Sequence, residues 1–426
     1  MAYVNSSLNA HGDELLPKGE YLGLFTWTRF DDDTGYYEIS LLEDSFVAFL
    51  LESLETTNQR YQEPEMLDRP LFQLVRTLFV DDEETIEYIK ARLEQGGGDD
   101  ADRLYRIEIS SQRTYESIFL YEGRDRTLYL TIKEYDSRMP SIAGIFAAEP
   151  LTPEHRIYCV PRTLRIFNVG QASFCEASNG HGTYIAFDIG LPHPSQRDPL
   201  NAKEKKDIQK AEYHIKNRRF KAVVISHFDY DHISGYLQMT LRQLRNTHWY
   251  IPDPRASGTK TLSGTAKWLL IMLCGCRSFS LVGKATEVFA NPTKASLLLY
   301  PGHFCGSKHC SLGNQLGLCA VLRSLNGSVL LPGDSMPCCW DPEVHCGVPY
   351  DLLLAPHHGA KTCCGGFCHL SEKYFVISYG TRNTYRHPSK ELVRWLREHH
   401  SHIEVCGSPF FSSNSRYYSF STRKLK

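Results

Sequence analysis

Apolar and polar positions alternate with period two over residues 21–30, an Asp-Asp-Asp-Thr-Gly segment at 31–35 breaks the pattern, and 36–39 resumes it. That arrangement predicts a β-hairpin. Apolar residues then recur at helical spacing over 41–54 and over 71–93, the second stretch interrupted by acidic residues at 81–84. Three glycines at 96–98 followed by Asp99 and Asp100 mark a loop, after which 104–109, 117–121 and 127–132 read as an antiparallel meander. The expected product is an α+β accessory domain over 1–158 that ends in a linker at 150–161. Its aromatics, Trp27, Tyr36 and Tyr37 among them, read as core rather than as a base-stacking platform. No internal repeat, heptad run or low-complexity tract is present.

Beyond this point the pattern changes to short apolar runs that each end in a polar cluster. Residues 163–169 end in Gly170-Gln171, 183–187 in Asp188-Ile189-Gly190, and 328–331 in Pro332-Gly333-Asp334-Ser335. The run 352–355 leads into Pro356-His357-His358-Gly359, and 375–377 into Ser378-Tyr379-Gly380, with Asn383, Tyr385, His387 and Pro388 close behind. Continuous apolar runs of this length are strands buried on both faces. In open sheets covered by helices, such strands deliver the loops that follow them to one rim.

The run 222–225 carries the richest cluster: after Ser226 come His227, Phe228, Asp229, Tyr230, Asp231 and His232. Imidazoles and carboxylates crowded at the end of a buried strand would stay unsatisfied in a core, whereas divalent cations satisfy them together. Alternation along an extended loop would send His227, Asp229 and Asp231 to one side, while His232 turns toward a second ion. Two divalent ions are therefore expected. Gly235 suits a tight turn into a helix over 236–244.

The order of these motifs resembles the metallo-β-lactamase fold, in particular the catalytic domain of the competence protein ComEC and its soluble relatives, over about residues 160–410. The usual family pattern is His-x-His-x-Asp-His, and this chain has Asp229 in place of the second His. ComEC-type domains resemble it in that substitution, and in the Val-Gly-Gln, Gly-Asp, His-His-Gly and Asn-x-Tyr-x-x-His-Pro elements. The resemblance implies an α/β architecture, an αββα sandwich over 159–426 preceded by the α+β accessory domain. It implies His227, Asp229, Asp231 and His232 as ligands, Asp334 as the carboxylate bridging both ions, and one of His357 and His358 completing the set. Asp188 would steady the metal loop from behind, with Asn383 in a similar supporting position. Many family members carry a further ligand in a Pro-Gly-His sequence; Pro301-Gly302-His303 is a local match, although ComEC-like members often lack that ligand.

Composition sharpens the substrate question. The net charge of -2 conceals 15 Lys and Arg against 31 Asp and Glu before residue 159, and 32 against 18 from there on. A strongly basic metal-bearing domain favours polyanionic substrates. The acidic domain could mask that basic surface or bind a protein partner. All 14 cysteines lie at or beyond Cys159, several of them close together: Cys305 and Cys310 with His309, Cys338 and Cys339, and Cys363, Cys364 and Cys368 with His369. Without Cys-x-x-Cys knuckles these read first as buried free thiols, a structural zinc site being the alternative. Residues 1–20 lack a basic start and an apolar run, and the longest apolar stretch, 268–274, is too short to span a bilayer, so a cytoplasmic location is expected.

The expected activity is that of a metal-dependent phosphodiesterase, a nuclease in the first instance. A hydroxide bridging two ions, zinc or manganese, would attack the phosphodiester, with Asp231 holding one ion and orienting the nucleophile. His387 would protonate the leaving oxygen or bind phosphate. Asp229 in place of a neutral imidazole adds hardness that suits manganese as well as zinc. The alternatives are a hydrolase of a small molecule (cyclic nucleotide, lactone or thioester) and a non-catalytic binding protein with a structural metal site.

Overall fold

In a computed structural model of the chain, the structure describes residues 2–4, 18–29, 35–55, 64–95, 102–122, 127–147, 149, 157, 161, 163–193, 202–256, 262–291, 295–306, 311–324, 327–345, 350–361, 372–380, 386–399, 403–406 and 417–421. Two compact units emerge. The first comprises Met1–Ala147, Leu237–Arg242 and Lys260–Cys276; the second comprises Ala148–Tyr236, Gln243–Thr259 and Arg277–Lys426.

The first unit is built on an antiparallel sheet of seven strands: β1 (Ala2–Val4), β2 (Gly19–Arg29), β3 (Gly35–Leu42), β4 (Val75–Val80), β5 (Arg103–Ser110), β6 (Ile118–Glu122) and β7 (Thr127–Arg138). Their order is β1-β4-β3-β2-β5-β7-β6. The hairpin at 21–39 is present as β2–β3. The three strands expected at 104–132 also form, but not as a meander: β7 inserts between β5 and β6 and pairs antiparallel with both. The helical reading of 71–93 is corrected. After one turn, Leu71–Leu74, the chain enters β4 between β1 and β3, and only Glu83–Gln95 is helix. Val75, Thr77 and Val80 are β-branched and buried, and within so continuous an apolar run periodicity cannot tell a buried strand from a helix. The first helix is likewise shorter, Asp44–Glu55, because Leu41 and Leu42 finish β3.

A helix from much later in the chain, Gly264–Cys276, belongs to this unit, so a cut near residue 158 leaves it on the far side. Residues 264–273 are all buried, as expected of a helix apolar on every face. Its N-terminus is held by Glu38 on β3, whose carboxylate accepts from the Thr265 N–H at 2.8 Å. The Lys267 ammonium pairs with Asp102 at 2.9 Å. Burial raises the Glu38 carboxyl above its ordinary value of 4.5, against the opposing hydrogen bonds from Thr265, Ser263 and Ser40. An acid whose pKa is raised by folding stabilises least when ionised, so stability should fall as pH rises above 4.5 and through the folded value. Glu38→Gln keeps an acceptor without the charge. Thermal melts should place it about 2–4 °C above wild type near pH 8 and level with it near pH 4. A wild type that melts higher at alkaline pH would refute this account.

The second unit contains two seven-stranded mixed sheets. The first holds β8 (Thr163–Phe167), β9 (Phe174–Ser178), β10 (Tyr184–Ile189), β11 (Phe220–Val224), β12 (His248–Pro252) and β13 (Phe279–Val282). The second is formed by β14 (Thr286–Asn291), β15 (Ala295–Pro301), β16 (Leu318–Ser324), β17 (Gly327–Leu331), β18 (Tyr350–Leu354), β19 (Glu372–Ser378) and β20 (Ile403–Cys406) in sequential order. A last strand, β21 (Tyr417–Ser421), returns to pair antiparallel with β8 in the first sheet. β10 to β13 are mutually parallel, and so are β17 to β20.

One apolar core fills the space between these sheets, drawing Leu164, Ile185, Val224 and Tyr250 from one and Leu299, Leu322, Val329 and Leu352 from the other. The outer face of the second sheet is covered by Lys390–His399 through Leu392 and Leu396. The helix Ala202–Asn217 buries Ile208, Ala211 and Ile215, and it connects the carboxyl end of β10 to the start of β11. The layers are therefore αββα. Parallel β10 and β11 direct Asp188 and the 226–232 loop to the same rim, and parallel β17, β18 and β19 do the same for Asp334, His357, His358 and Ser378.

Candidate metal centre

β11 ends at Val224, and Ser226 opens the motif loop as a hub. The Asp188 carboxylate accepts from the Ser226 N–H at 2.8 Å and from its hydroxyl at 2.9 Å, and the same hydroxyl lies 3.0 Å from His227 Nδ1. Tyr230–Ile233 forms one helical turn that starts after Asp229, with the His232 N–H donating to the Asp229 carbonyl at 3.0 Å. That turn ends the alternation expected of an extended loop. Asp231 does not join His227 and Asp229 but faces His358, 3.2 Å from its Nε2. The expected helix over 236–244 is also divided, into a 3-10 turn at Ser234–Gln238 and a short helix at Leu241–Asn246.

The Asp334 carboxylate stands at the centre. Its Oδ2 lies 3.7 Å from His227 Nε2 and 3.5 Å from His357 Nε2, and Asp229 Oδ2 is 3.3 Å from the same His227 nitrogen. Its Oδ1 lies 3.0 Å from His232 Nε2 and 3.7 Å from His358 Nε2. Two groups thus face the two oxygens: His227, Asp229 and His357 on one side, and Asp231, His232 and His358 on the other. Both members of the His-His pair take part because His357 and His358 adopt left-handed backbone conformations (φ 48° and 52°) that turn their rings toward Asp334. Each costs about 1–3 kcal/mol for residues with a Cβ. Gly333 (φ 57°) lets this loop approach, since a Cβ there would meet the Ser226 Cβ at 2.4 Å.

The site's chemistry fits divalent cations. His227 Nε2, His232 Nε2, His358 Nε2 and Asp334 Oδ1 are buried without a hydrogen-bond partner. Leaving four such atoms facing one another inside a protein is unfavourable unless something electropositive joins them. The opposite ring nitrogens are tied down, His232 Nδ1 to Asp188 at 2.8 Å and His358 Nδ1 to the Ser378 carbonyl at 3.0 Å. Fixing one ring nitrogen aims the other at a ligand.

Electrostatics agree with a site built for positive charge. Burial alone would raise Asp231 and Asp334. The neighbouring imidazoles overcome it, bringing Asp231 down to about 2 and Asp334 well below the carboxylate range. Burial would lower His227 and His232, yet Asp229 and Asp334 raise the first, and Asp334 and Asp188 lift the second well above 6.5. His387 behaves oppositely. Its ring lies 5.4 Å from that of His357, and burial followed by the nearby imidazoles lowers it to about 4. A ring neutral at pH 7 is a poor proton donor, while its remaining N–H can still hydrogen-bond a phosphate oxygen.

Asp188, wholly buried and itself left-handed (φ 52°), lies 2.8 Å from His232 Nδ1. Asn tolerates that conformation, so Asp188→Asn preserves shape and removes the charge. Competition with a chelating dye should show cation affinity lowered about 10–100-fold with every ligand residue intact. Unchanged affinity would show that Asp188 serves folding only. Ser226 and Ser378 are supporting residues that the motif pattern alone does not single out; Ser378 also donates to the Gly170 and Ala172 carbonyls. His303 is exposed and stands outside both groups, and Asn383 and Tyr385 lie outside the described residues.

The cysteines give a second cluster. Cys305 Sγ lies 2.9 Å from Cys339 Sγ and 3.3 Å from Cys338 Sγ, among Met336 and Ala360. Cys338 is disulfide-bonded, whereas Cys175, Cys274, Cys276, Cys305, Cys319 and Cys339 are free. Cys310, Cys346, Cys363, Cys364 and Cys368 lie outside the described residues.

No known sequence family and no curated protein matches the chain. Solved structures show weak likeness. A provisionally assigned metal-dependent hydrolase of Parabacteroides distasonis matches at 10% identity and TM-score 0.35, over 57% of this chain and 92% of that one. Zinc-bound PqqB of Methylobacterium extorquens matches at 11% and 0.32, over 58% and 98%. The short form of human tRNase Z matches at 11% and 0.29, over 58% and 96%. The sheet order and the shared core themselves define a mixed α/β protein whose second unit is an αββα sandwich. Among the described residues no helix is long and apolar enough to cross a membrane.

Proposed function

We propose that the protein is a metal-dependent hydrolase that cleaves phosphodiesters in nucleic acid, in the manner of ComEC-like domains. The observation that carries this reading is the convergence of three buried imidazole nitrogens without hydrogen bonds, from His227, His232 and His358, on the two oxygens of Asp334. His227, Asp229 and His357 would hold one cation, and Asp231, His232 and His358 the other, with Asp334 shared. Divalent ions there, zinc or manganese, supply an acidified water and neutralise phosphate charge. Asp231 would orient the nucleophile. His387 would contribute a neutral N–H to a phosphate oxygen beside His357. Net positive charge beyond residue 158 draws polyanions to the rim. The acidic leading domain would mask that charge or recruit a protein partner, and the location would be cytoplasmic.

The test offers the protein, loaded with zinc, manganese or magnesium, single-stranded DNA, duplex DNA, RNA, bis-p-nitrophenyl phosphate, and lactone and thioester substrates. Cleavage of nucleic acid that stops on chelation and returns with metal supports the proposal. Turnover of lactone or thioester alone would reassign the substrate class. Two tightly held ions with no hydrolysis of any substrate would leave a structural metal site.

A further inference from the structure

Along the helix Ala202–Asn217, Lys206, Lys210 and Tyr213 fall at helical spacing on one stripe, and that stripe walls a cavity of about 520 Å³ against the end of β8. The opposite wall brings Arg165, Phe167 and Asn168. Its volume is that of a site for a small organic ligand. The lining brings Arg165, Lys206, Lys210 and Arg218 together with a single lining carboxylate, Asp207. Glu176, 1% exposed, lies 3.2 Å from Arg165, 3.2 Å from His214 and 3.7 Å from Arg218. Asp207 is engaged by the Asn168 amide at 3.3 Å. Lys206 and Lys210 have no ion pair among the described residues.

Two features ask for more than an inorganic anion. Tyr213 is 66% exposed, one of the few large aromatic side chains so placed among the described residues. Asn168 is buried, and its Oδ1 has no hydrogen-bond partner while its amide nitrogen is committed to Asp207. Phosphate alone would use neither an aromatic face nor an acceptor. A nucleoside phosphate uses all three kinds of group: phosphate oxygens on the lysines, the base against Tyr213, and a ribose hydroxyl or base N–H donating to Asn168.

We infer that this cavity is a second, non-hydrolytic binding site for a nucleotide, either free or as one unit of a strand. The inference stands whatever the metal centre hydrolyses. The helix that walls the site begins after β10, and Phe167 and Asn168 lead directly into the 170–173 loop. There Ser173 donates to the Asp231 carbonyl at 3.0 Å. A ligand seated here therefore borders the loop that packs on the metal-bearing chain.

The metal-loaded full-length protein is titrated with AMP, with pyrophosphate, and with a short fluorescent phosphorothioate oligothymidylate that resists cleavage. Wild type is compared with Lys206→Glu, Tyr213→Ala and, as a charge control elsewhere on the unit, Arg394→Glu. Lys206→Glu and Tyr213→Ala should each weaken nucleotide binding about tenfold, with melting temperature and bis-p-nitrophenyl phosphate turnover unchanged. Oligothymidylate binding tighter than AMP would assign the site to a strand, and equal or weaker binding would assign it to a free nucleotide. The inference falls if neither binds, if Arg394→Glu weakens binding as much as Lys206→Glu, or if pyrophosphate binds as well as AMP and Tyr213→Ala has no effect.

Discussion

Asp334→Ala is expected to abolish divalent-cation binding at this site and, with it, the proposed hydrolysis. Asp334 is 4% exposed, and its two oxygens meet four imidazoles at 3.0–3.7 Å. No other carboxylate among the described residues reaches both groups. Removing it leaves rings such as His227 and His232, whose centroids are 4.1 Å apart, to face one another without that carboxylate. Deleting one partner of a buried charge network costs about 3–5 kcal/mol, which is on the order of a thousandfold in cation affinity. Metal content after dialysis against a mild chelator reads this directly, and Asp334→Asn, which keeps the shape, should fail in the same way. A variant that keeps two ions and wild-type turnover would mean that the Asp334 position is incidental and the two groups bind independently.

Which parts of this arrangement can be read from the chain follows from how local each signal is. Strand-terminal clusters are visible because a buried strand needs an unbroken apolar run and the rim needs polar residues straight after it. Asp188, His227, Asp334 and the His-His pair therefore stand out in the text and meet in space. Less local facts are hidden. Asp231 changes sides because Tyr230–Ile233 closes a helical turn, and four residues are too few for periodicity to register. Both His357 and His358 reach the centre through left-handed backbones, a conformation their side chains do not announce. β4 reads as helix because an apolar run buried on both sides has no period. The membership of Gly264–Cys276 in the first unit depends on Glu38, more than two hundred residues earlier, capping its first turn.

Gly190→Ala should disable the metal centre without touching a ligand. Gly190 follows β10 in the Asp188-Ile189-Gly190 motif, and its N–H donates to the Ser173 carbonyl at 2.7 Å, while the Ser173 N–H donates to the Asp231 carbonyl at 3.0 Å. A Cβ on residue 190 would stand 1.6 Å from the Asp231 carbonyl oxygen and 2.9 Å from the His232 nitrogen. Both obstacles are backbone, so no side chain can rotate away; the chain bearing Asp231 and His232 must itself move by more than an ångström. Misplacing reacting groups by about 1 Å costs about a hundredfold in rate, and overpacking a core costs about 1–3 kcal/mol in stability. The variant should therefore lose at least about a hundredfold in hydrolysis and hold less than its full complement of metal, while the apolar core between the two sheets still gives a cooperative melt. Gly313→Ala supplies the comparison, since a Cβ there meets nothing nearer than Ser311 Oγ at 3.9 Å and should leave turnover and melting unchanged. If the two substitutions behave alike, the contact between the end of β10 and the metal loop is not what holds Asp231 and His232 in register.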